Sequence, residues 1–248
     1  MLKIVSDMKL IQQIIYIGII VLSSCTTVYE LDSNQNDIIA VSGNPDSLIT
    51  LIIEPYKIGI DSIMNEILCV SEMEMAKGKP ESLLGNFITD LCLEEYYLEA
   101  DICIMNNGGL RSSLPKGEVT RGKIYELMPF DNELVILNLN EKDFNGLLIY
   151  IISRGGEPFS GMSITTNKQG ELLSYKINNS INFNNGENIR VITSDYLANG
   201  GDKMWFFKDK KQKKVDMKLR DVIINYCKKN KKITSQIDGR LEIKLHEQ

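Results

Sequence analysis

From Asp46 onward the apolar residues change period repeatedly, between the three-to-four spacing of a helix and the two-residue spacing of a strand, and they do so irregularly. Leu48, Ile49, Ile52, Ile53 and Tyr56 share a helical face behind the cap candidates Asp46 and Ser47, and Pro55 is expected to kink or shorten that helix. An extended segment is expected over 66–75, a helix over 84–97 through Leu84, Phe87, Ile88, Leu91 and Cys92, and a short buried strand over 101–105. Val119-Thr120 leads into a short helix through Ile124 and Leu127. A strand over 133–140 and an amphipathic helix over 141–153, carried by Phe144, Leu147, Leu148 and Ile151, come next. Asn and Gly turns separate three further strand candidates, 161–166, 171–177 and 188–193, ahead of a helix over 215–227 and a closing strand over 240–245. Strands in pairs between irregularly placed helices predict an α+β fold, a layered mixed or antiparallel sheet with packed helices, and not a regular doubly wound sheet.

The first 45 residues have a different character. Lys9 precedes an apolar run over 10–22, interrupted only by Gln12 and Gln13, and small residues then lead to Cys25. Charge, apolar run, small residues and cysteine in that order form the layout of an export signal, and Leu22-Ser23-Ser24-Cys25 resembles the bacterial lipobox, whose cysteine is acylated. Residues 1–25 are therefore expected to be a lipoprotein signal peptide with Cys25 as the lipidation site. The protein would be exported and held by lipid on the periplasmic or cell-surface face of a bacterial membrane. A buried helix ending in a core cysteine is the plainer alternative. Residues 26–45, rich in Ser, Asn, Asp and Thr, read as a flexible tether, and 46–248 as the folded domain.

A net charge of -5 argues against a nucleic-acid polymer as partner, because such binding needs a basic surface that displaces counterions from phosphates. The basic runs 208–214 and 228–232 read as solvated loops or helix ends. Cys69, Cys92, Cys103 and Cys227 sit among apolar residues without C-x-x-C spacing and read as small core residues. His246 is the only histidine. No metal site or cofactor is expected in this chain.

Three stretches combine turn chemistry with side chains suited to small-molecule recognition. In Asn106-Asn107-Gly108-Gly109-Leu110-Arg111, the glycines let backbone approach a ligand, Asn106 offers donor and acceptor, and Arg111 offers a planar fork of donors. Met128-Pro129-Phe130-Asp131-Asn132 and Asp195-Tyr196-Leu197-Ala198-Asn199-Gly200-Gly201-Asp202 each set an aromatic ring in a Pro- or Gly-bearing loop. Two rings across a cleft can hold a flat base, and a carboxylate such as Asp202 can accept hydrogen bonds from vicinal ribose hydroxyls. Taken singly, each stretch has a plainer reading, as an Asn-Gly hairpin turn or as a core aromatic beside turn formers.

In order, Glu81-Ser82-Leu83-Leu84-Gly85-Asn86, the three stretches above and Asp238-Gly239-Arg240 resemble the C-terminal domain of 5′-nucleotidases, over about 46–245. The resemblance implies that the domain binds the nucleoside part of a nucleotide. Phe130 and Tyr196 would stack on the base, Asn106 would meet its edge, Arg111 would reach the polar end, and Asp202 would hold the ribose. Gly108, Gly109, Asn199 and Gly201 complete the implied substrate-binding set. Tyr196 stands where phenylalanine is common in the family, and Pro80, after Lys79, stands where many members carry an arginine. Family hydrolysis uses two divalent metals held by a preceding metallophosphatase domain, whose Asp-x-His and Gly-Asn-His motifs are absent from this sequence. No catalytic residue is assigned. The implied function is nucleotide recognition in a 5′-nucleotidase-type phosphoesterase of nucleotide catabolism, with a separate metallophosphatase chain carrying the metals. A stand-alone nucleoside- or nucleotide-binding lipoprotein without catalytic role is the alternative.

Overall fold

Strands that are apolar on both faces need cover on both sides, and the middle of the fold is built on that requirement. The computed structural model describes residues 46–244 except 180 and 182, together with Gly43. The expected signal peptide, Cys25, most of the tether, Leu245 of the closing strand and His246 lie outside the described residues. The chain divides into Met1–Asp46 and Ser47–Gln248, and the fold is that of the second unit.

The elements begin with α1 (Ser47–Met64), β1 (Ile67–Ser71), α2 (Leu83–Glu95), β2 (Ile102–Ile104), β3 (Gly117–Thr120), α3 (Arg121–Leu127), β4 (Glu133–Leu139) and α4 (Glu141–Ser153). They continue with β5 (Phe159–Ser160), β6 (Met162–Asn167), β7 (Leu172–Ile177), β8 (Ile189–Ser194) and α5 (Asp195–Ala198). The last are β9 (Lys213–Lys218), α6 (Leu219–Asn230), β10 (Lys232–Ile233) and β11 (Leu241–Lys244). Among the described residues the strands form three mixed sheets, ordered β10-β1-β3, β11-β6-β7 and β5-β2-β8-β4-β9. The α+β expectation is met.

In the five-stranded sheet, alternate residues serve two cores. Cys103, Leu134, Ile136 and Ile192 pack with Leu84, Ile88, Ile124 and Ile223 of α2, α3 and α6. Ile104, Val135, Leu137 and Val191 pack with Phe144, Leu147 and Ile151 of α4. The four described cysteines are buried, as their apolar neighbours imply, and they stand as free thiols. Side-chain caps start α2 and α4: Ser82 Oγ accepts from Gly85 N at 3.0 Å, and Asn140 Oδ1 accepts from Asp143 N at 3.0 Å.

Two of the sequence stretches serve this architecture. Glu81 accepts from Asn86 Nδ2 at 2.6 Å, from Asp238 N at 2.8 Å and from Gly239 N at 3.0 Å. Arg240 donates to both carboxylate oxygens of Asp90, to both of Asp238 and to Phe159 O. Glu81-Ser82 and Asp238-Gly239-Arg240 thus clasp one another across the start of α2, tying the end of the domain to its core.

The structure corrects several sequence expectations. Pro55 lies inside α1, which runs on to Met64, so the helix is not shortened there. The helix expected over 215–227 is present as α6 but begins only at Leu219 and runs to Asn230, and the residues before it form a strand, β9. Val215 and Met217 alternate against the first core at the two-residue period, and the helical period begins only at Leu219. Lys213 and Lys214, at the end of a presumed loop, therefore stand on an edge strand, where lysines discourage pairing with another sheet. The extended segment over 66–75 is a strand only to Ser71, and Met75 then makes an isolated bridge to Leu114.

Candidate functional site

Sheet topology brings the three recognition stretches together. The first leaves the C-terminal end of β2, the third leaves the C-terminal end of β8, and the second enters the N-terminal end of β4. β2 and β8 run parallel, with Cys103 opposite Ile192, and β4 runs antiparallel to β8, with Leu134 opposite Ser194. All three loops consequently emerge side by side from one edge of the sheet, where open α/β sheets commonly take ligands.

Each loop is held by identifiable bonds. After β2, Asn106 O accepts from Gly109 N at 3.1 Å, closing a turn. This is not a hairpin, since the next strand, β3, belongs to another sheet. Asn107 N donates to Glu157 Oε2 at 2.7 Å, and Arg154 Nε to Glu157 Oε1 at 3.2 Å. The loop before β4 rests on buried Arg220, which donates to Met128 O at 3.2 Å, to Phe130 O at 3.3 Å and to Asp131, and stacks 4.2 Å from the Tyr125 ring centroid. After β8, Ser194 caps α5 through Leu197 N at 3.3 Å, and the chain then turns at Gly200 into the short helical turn Gly201–Lys203.

Asp202 is the most constrained residue of the group. Its φ of 52° lies in the left-handed region, where a residue other than glycine is held only by its surroundings. Those surroundings are visible: Asn106 Nδ2 donates to Oδ2 at 2.5 Å, Tyr196 Oη to Oδ1 at 2.9 Å, and Tyr150 Oη to the Asp202 carbonyl at 3.0 Å. The hydrogen bond to the Asp202 carboxylate raises the Tyr196 pKa above its ordinary value. Burial, with Glu157 nearby, pushes Tyr150 to about 12, so its hydroxyl stays a donor. Gly201 leaves room for the Tyr196 ring, because a Cβ there would sit 2.6 Å from two of its carbons.

Asn106, Gly108, Gly109, Arg111, Phe130, Tyr196 and Asp202 line one cavity of about 330 Å³, together with Asn132. Phe130 and Tyr196 are both partly open, at 41% and 46% exposure, so their rings are available to a ligand. The Arg111 guanidinium lies 5.9 Å from the Phe130 centroid. Two expected residues stand apart from the lining: Asn199 is exposed and accepts from Gln212 Nε2 at 2.9 Å, and Gly201 lies against Tyr196. Asn132 was not in the expected set although it closes the second stretch, and neither Tyr150, on an apolar helix face, nor Glu157 carried a local signal. Lys79 donates to Arg154 O and does not line the cavity. A wider hollow of about 530 Å³ lies between Asp90, Glu94, Tyr97, Met162, Asp238 and Arg240. Its one arginine is already saturated by carboxylates, and it belongs to the clasp. Among the described residues no three His, Cys, Asp or Glu side chains are grouped to hold a metal ion, so the two-metal centre of such hydrolases does not fit them.

The comparisons with known proteins agree with this fold. The chain is 27% identical over 217 residues to the apyrase of Tabanus yao, an alignment that covers 72% of the chain and 38% of the apyrase. It is 33% identical over 138 residues to the trifunctional nucleotide phosphoesterase protein YfkN of Bacillus subtilis, covering 49% of the chain and 9% of that protein. Among solved structures, the 5′-nucleotidase precursor of Thermus thermophilus superposes with a TM-score of 0.68 at 23% identity, over 81% of this chain and 44% of that one. The NAD nucleotidase of Haemophilus influenzae superposes with a TM-score of 0.62 at 20% identity, over 82% of this chain and 42% of that one. The chain spans less than half the length of each of these relatives. The sequence pattern of the 5′-nucleotidase C-terminal domain matches residues 64–209, and the chain belongs to that family.

Proposed function

We propose that the cavity recognises the nucleoside part of a nucleotide, and that the chain supplies nucleotide recognition to a 5′-nucleotidase-type phosphoesterase. The observation that carries this reading is the convergence of two open aromatic rings, Phe130 and Tyr196, with the Asp202 carboxylate and the Arg111 guanidinium in one cavity. The rings offer stacking faces to a base, Asp202 offers acceptors to ribose hydroxyls, Asn106 and Asn132 offer amides to polar edges, and Arg111 offers donors to the phosphate end. Divalent metals are expected in a partner metallophosphatase chain, where they would activate water and clamp the phosphoryl oxygens. Recognition in this chain would then position the ester for that partner.

The test is hydrolysis of nucleoside 5′-monophosphates by the purified chain, by a candidate metallophosphatase, and by the two mixed, with magnesium, manganese, zinc or cobalt. The chain alone is expected to be inactive and the mixture faster than the phosphatase alone. Metal-dependent turnover by this chain by itself would overturn the split arrangement. Absence of any enhancement, with nucleoside binding intact, would favour the stand-alone binding lipoprotein.

The lipid anchor is part of the same proposal, since two chains tethered to one membrane gain effective concentration for each other. It rests on the signal layout ending at Cys25. Cys25→Ala is expected to release the protein from the membrane fraction or stall its processing. A substituted protein that still sediments with membranes after a high-salt wash would contradict the anchor.

A further inference from the structure

We propose that Cys69 and Cys227 are a cross-linking site, and that a disulfide between them ties the first strand of the fold to its last helix. The inference is independent of the nucleoside reading.

All four described cysteines lie in the first core and none in the second. Cys69, on β1, is 3% exposed, and Cys227, on α6, is fully buried. Backbone bonds bring the two elements together. Cys227 O accepts from Lys231 N at 3.1 Å, which closes α6, and Lys231 O accepts from Val70 N at 2.8 Å, the residue after Cys69. β10 then runs on beside β1, with Val70 opposite Lys232. The side chains complete the approach, since the Cys227 thiol donates a hydrogen bond to Cys69 Sγ. Two sulfurs that share a hydrogen bond within one packed core are a small closing movement from a covalent bond.

The same contact decides which thiol reacts. Hydrogen bonding from Cys227, with the Lys231 ammonium nearby, holds the Cys69 thiol below its ordinary value although burial opposes it. Cys69 is therefore the attacking thiolate. With a disulfide oxidant, a small molecule or a protein, Cys69 bonds to one oxidant sulfur and the other leaves as a thiol. Cys227 then gives up its proton and displaces the remaining sulfur from Cys69, so that two protein thiols become one disulfide and the oxidant becomes two thiols. A second pair differs. Cys92 on α2 and Cys103 on β2 also share a hydrogen bond, but burial pushes the Cys103 thiol well up and leaves it a poor attacker.

The experiment is refolding of the reduced Cys25→Ala chain, which removes the thiol outside the described residues, in a buffer of reduced and oxidised glutathione. Alkylation in denaturant, peptide mapping and melting curves with and without reductant follow. Mapping is expected to recover Cys69 joined to Cys227 in most chains, and the oxidised protein is expected to melt roughly 5 to 15 °C above the reduced one. Cys227→Ala treated alike is expected to show no such gain. Cys69 and Cys227 both alkylated in most chains, or Cys69 joined mainly to Cys92 or Cys103, would overturn the proposal. An oxidised protein that melts no higher than the reduced one, or an equal gain in Cys227→Ala, would overturn it as well.

Discussion

Arg240→Ala is expected to melt roughly 6 to 12 °C below the unsubstituted chain, the largest loss of stability expected from a single side chain outside the hydrophobic cores. Arg240 is 9% exposed and joins Asp90, Asp238 and Phe159 O, with Glu81 Oε1 3.8 Å from its Nε. Breaking a buried ion pair by removing one partner costs about 3 to 5 kcal/mol. The lower end of that range applies, because Glu81 keeps Asn86 Nδ2 and two backbone N–H groups as donors, and Asp90 and Asp238 can turn to water. The same clasp is sensitive to acid. Hydrogen bonding to Arg240 holds the Asp238 carboxyl below its ordinary value of 3.8, so its contribution is complete above that pH and is lost as pH falls through the lowered folded value. Thermal melts of both proteins from pH 7 down to pH 2 check this. The unsubstituted chain should lose stability more steeply than Arg240→Ala below about pH 4, and equal melting temperatures at neutral pH would contradict the clasp.

Tyr196→Ala is expected to weaken nucleoside binding by tenfold or more while the fold persists. Stacking of a base on an aromatic ring is worth about 1 to 3 kcal/mol. The substitution also removes the donor to Asp202 Oδ1 and frees a left-handed backbone that Tyr196 helps to hold. Stability should change little, because the ring is 46% exposed and packs mainly over Gly201. Titration calorimetry beside a melting curve separates the two effects. Unchanged affinity would remove Tyr196 from the site, whereas a collapse in melting temperature would make its role structural.

The parts of this fold that sequence made legible are those where one physical cause dominates a segment. α2 and α4 follow from apolar residues at helical spacing behind side-chain caps, and β4 from a run that is apolar on both faces. β9 was missed and the start of α6 set four residues early because Val215 and Met217 alternate for only three positions before Leu219, too short a run for the period to show. β3, β5 and β10 are so short that pairing partners define them more than their own residues do. In the site, Phe130, Tyr196 and Asp202 were recognisable as a set from motif order. Their convergence comes from the placement of β8 between β2 and β4, which no local pattern encodes. Arg220 and Tyr150, which hold the loops from beneath, look in sequence like ordinary helix residues, since their partners lie 52 to 92 positions away. Asn199 and Gly201 entered the expected set through the motif resemblance, yet the Asn199 amide accepts from Gln212 and Gly201 lies against Tyr196, so motif membership placed two residues in the lining that the cavity leaves out.

The most direct test of the central claim is a crystal structure of the chain with adenosine bound. The account predicts the base against the Phe130 and Tyr196 rings, a sugar hydroxyl within hydrogen-bond distance of Asp202 Oδ1 or Oδ2, and the 5′-hydroxyl directed out of the cavity. Adenosine seated in the hollow beside Arg240, or bound at neither place at concentrations that saturate the chain in solution, would contradict it.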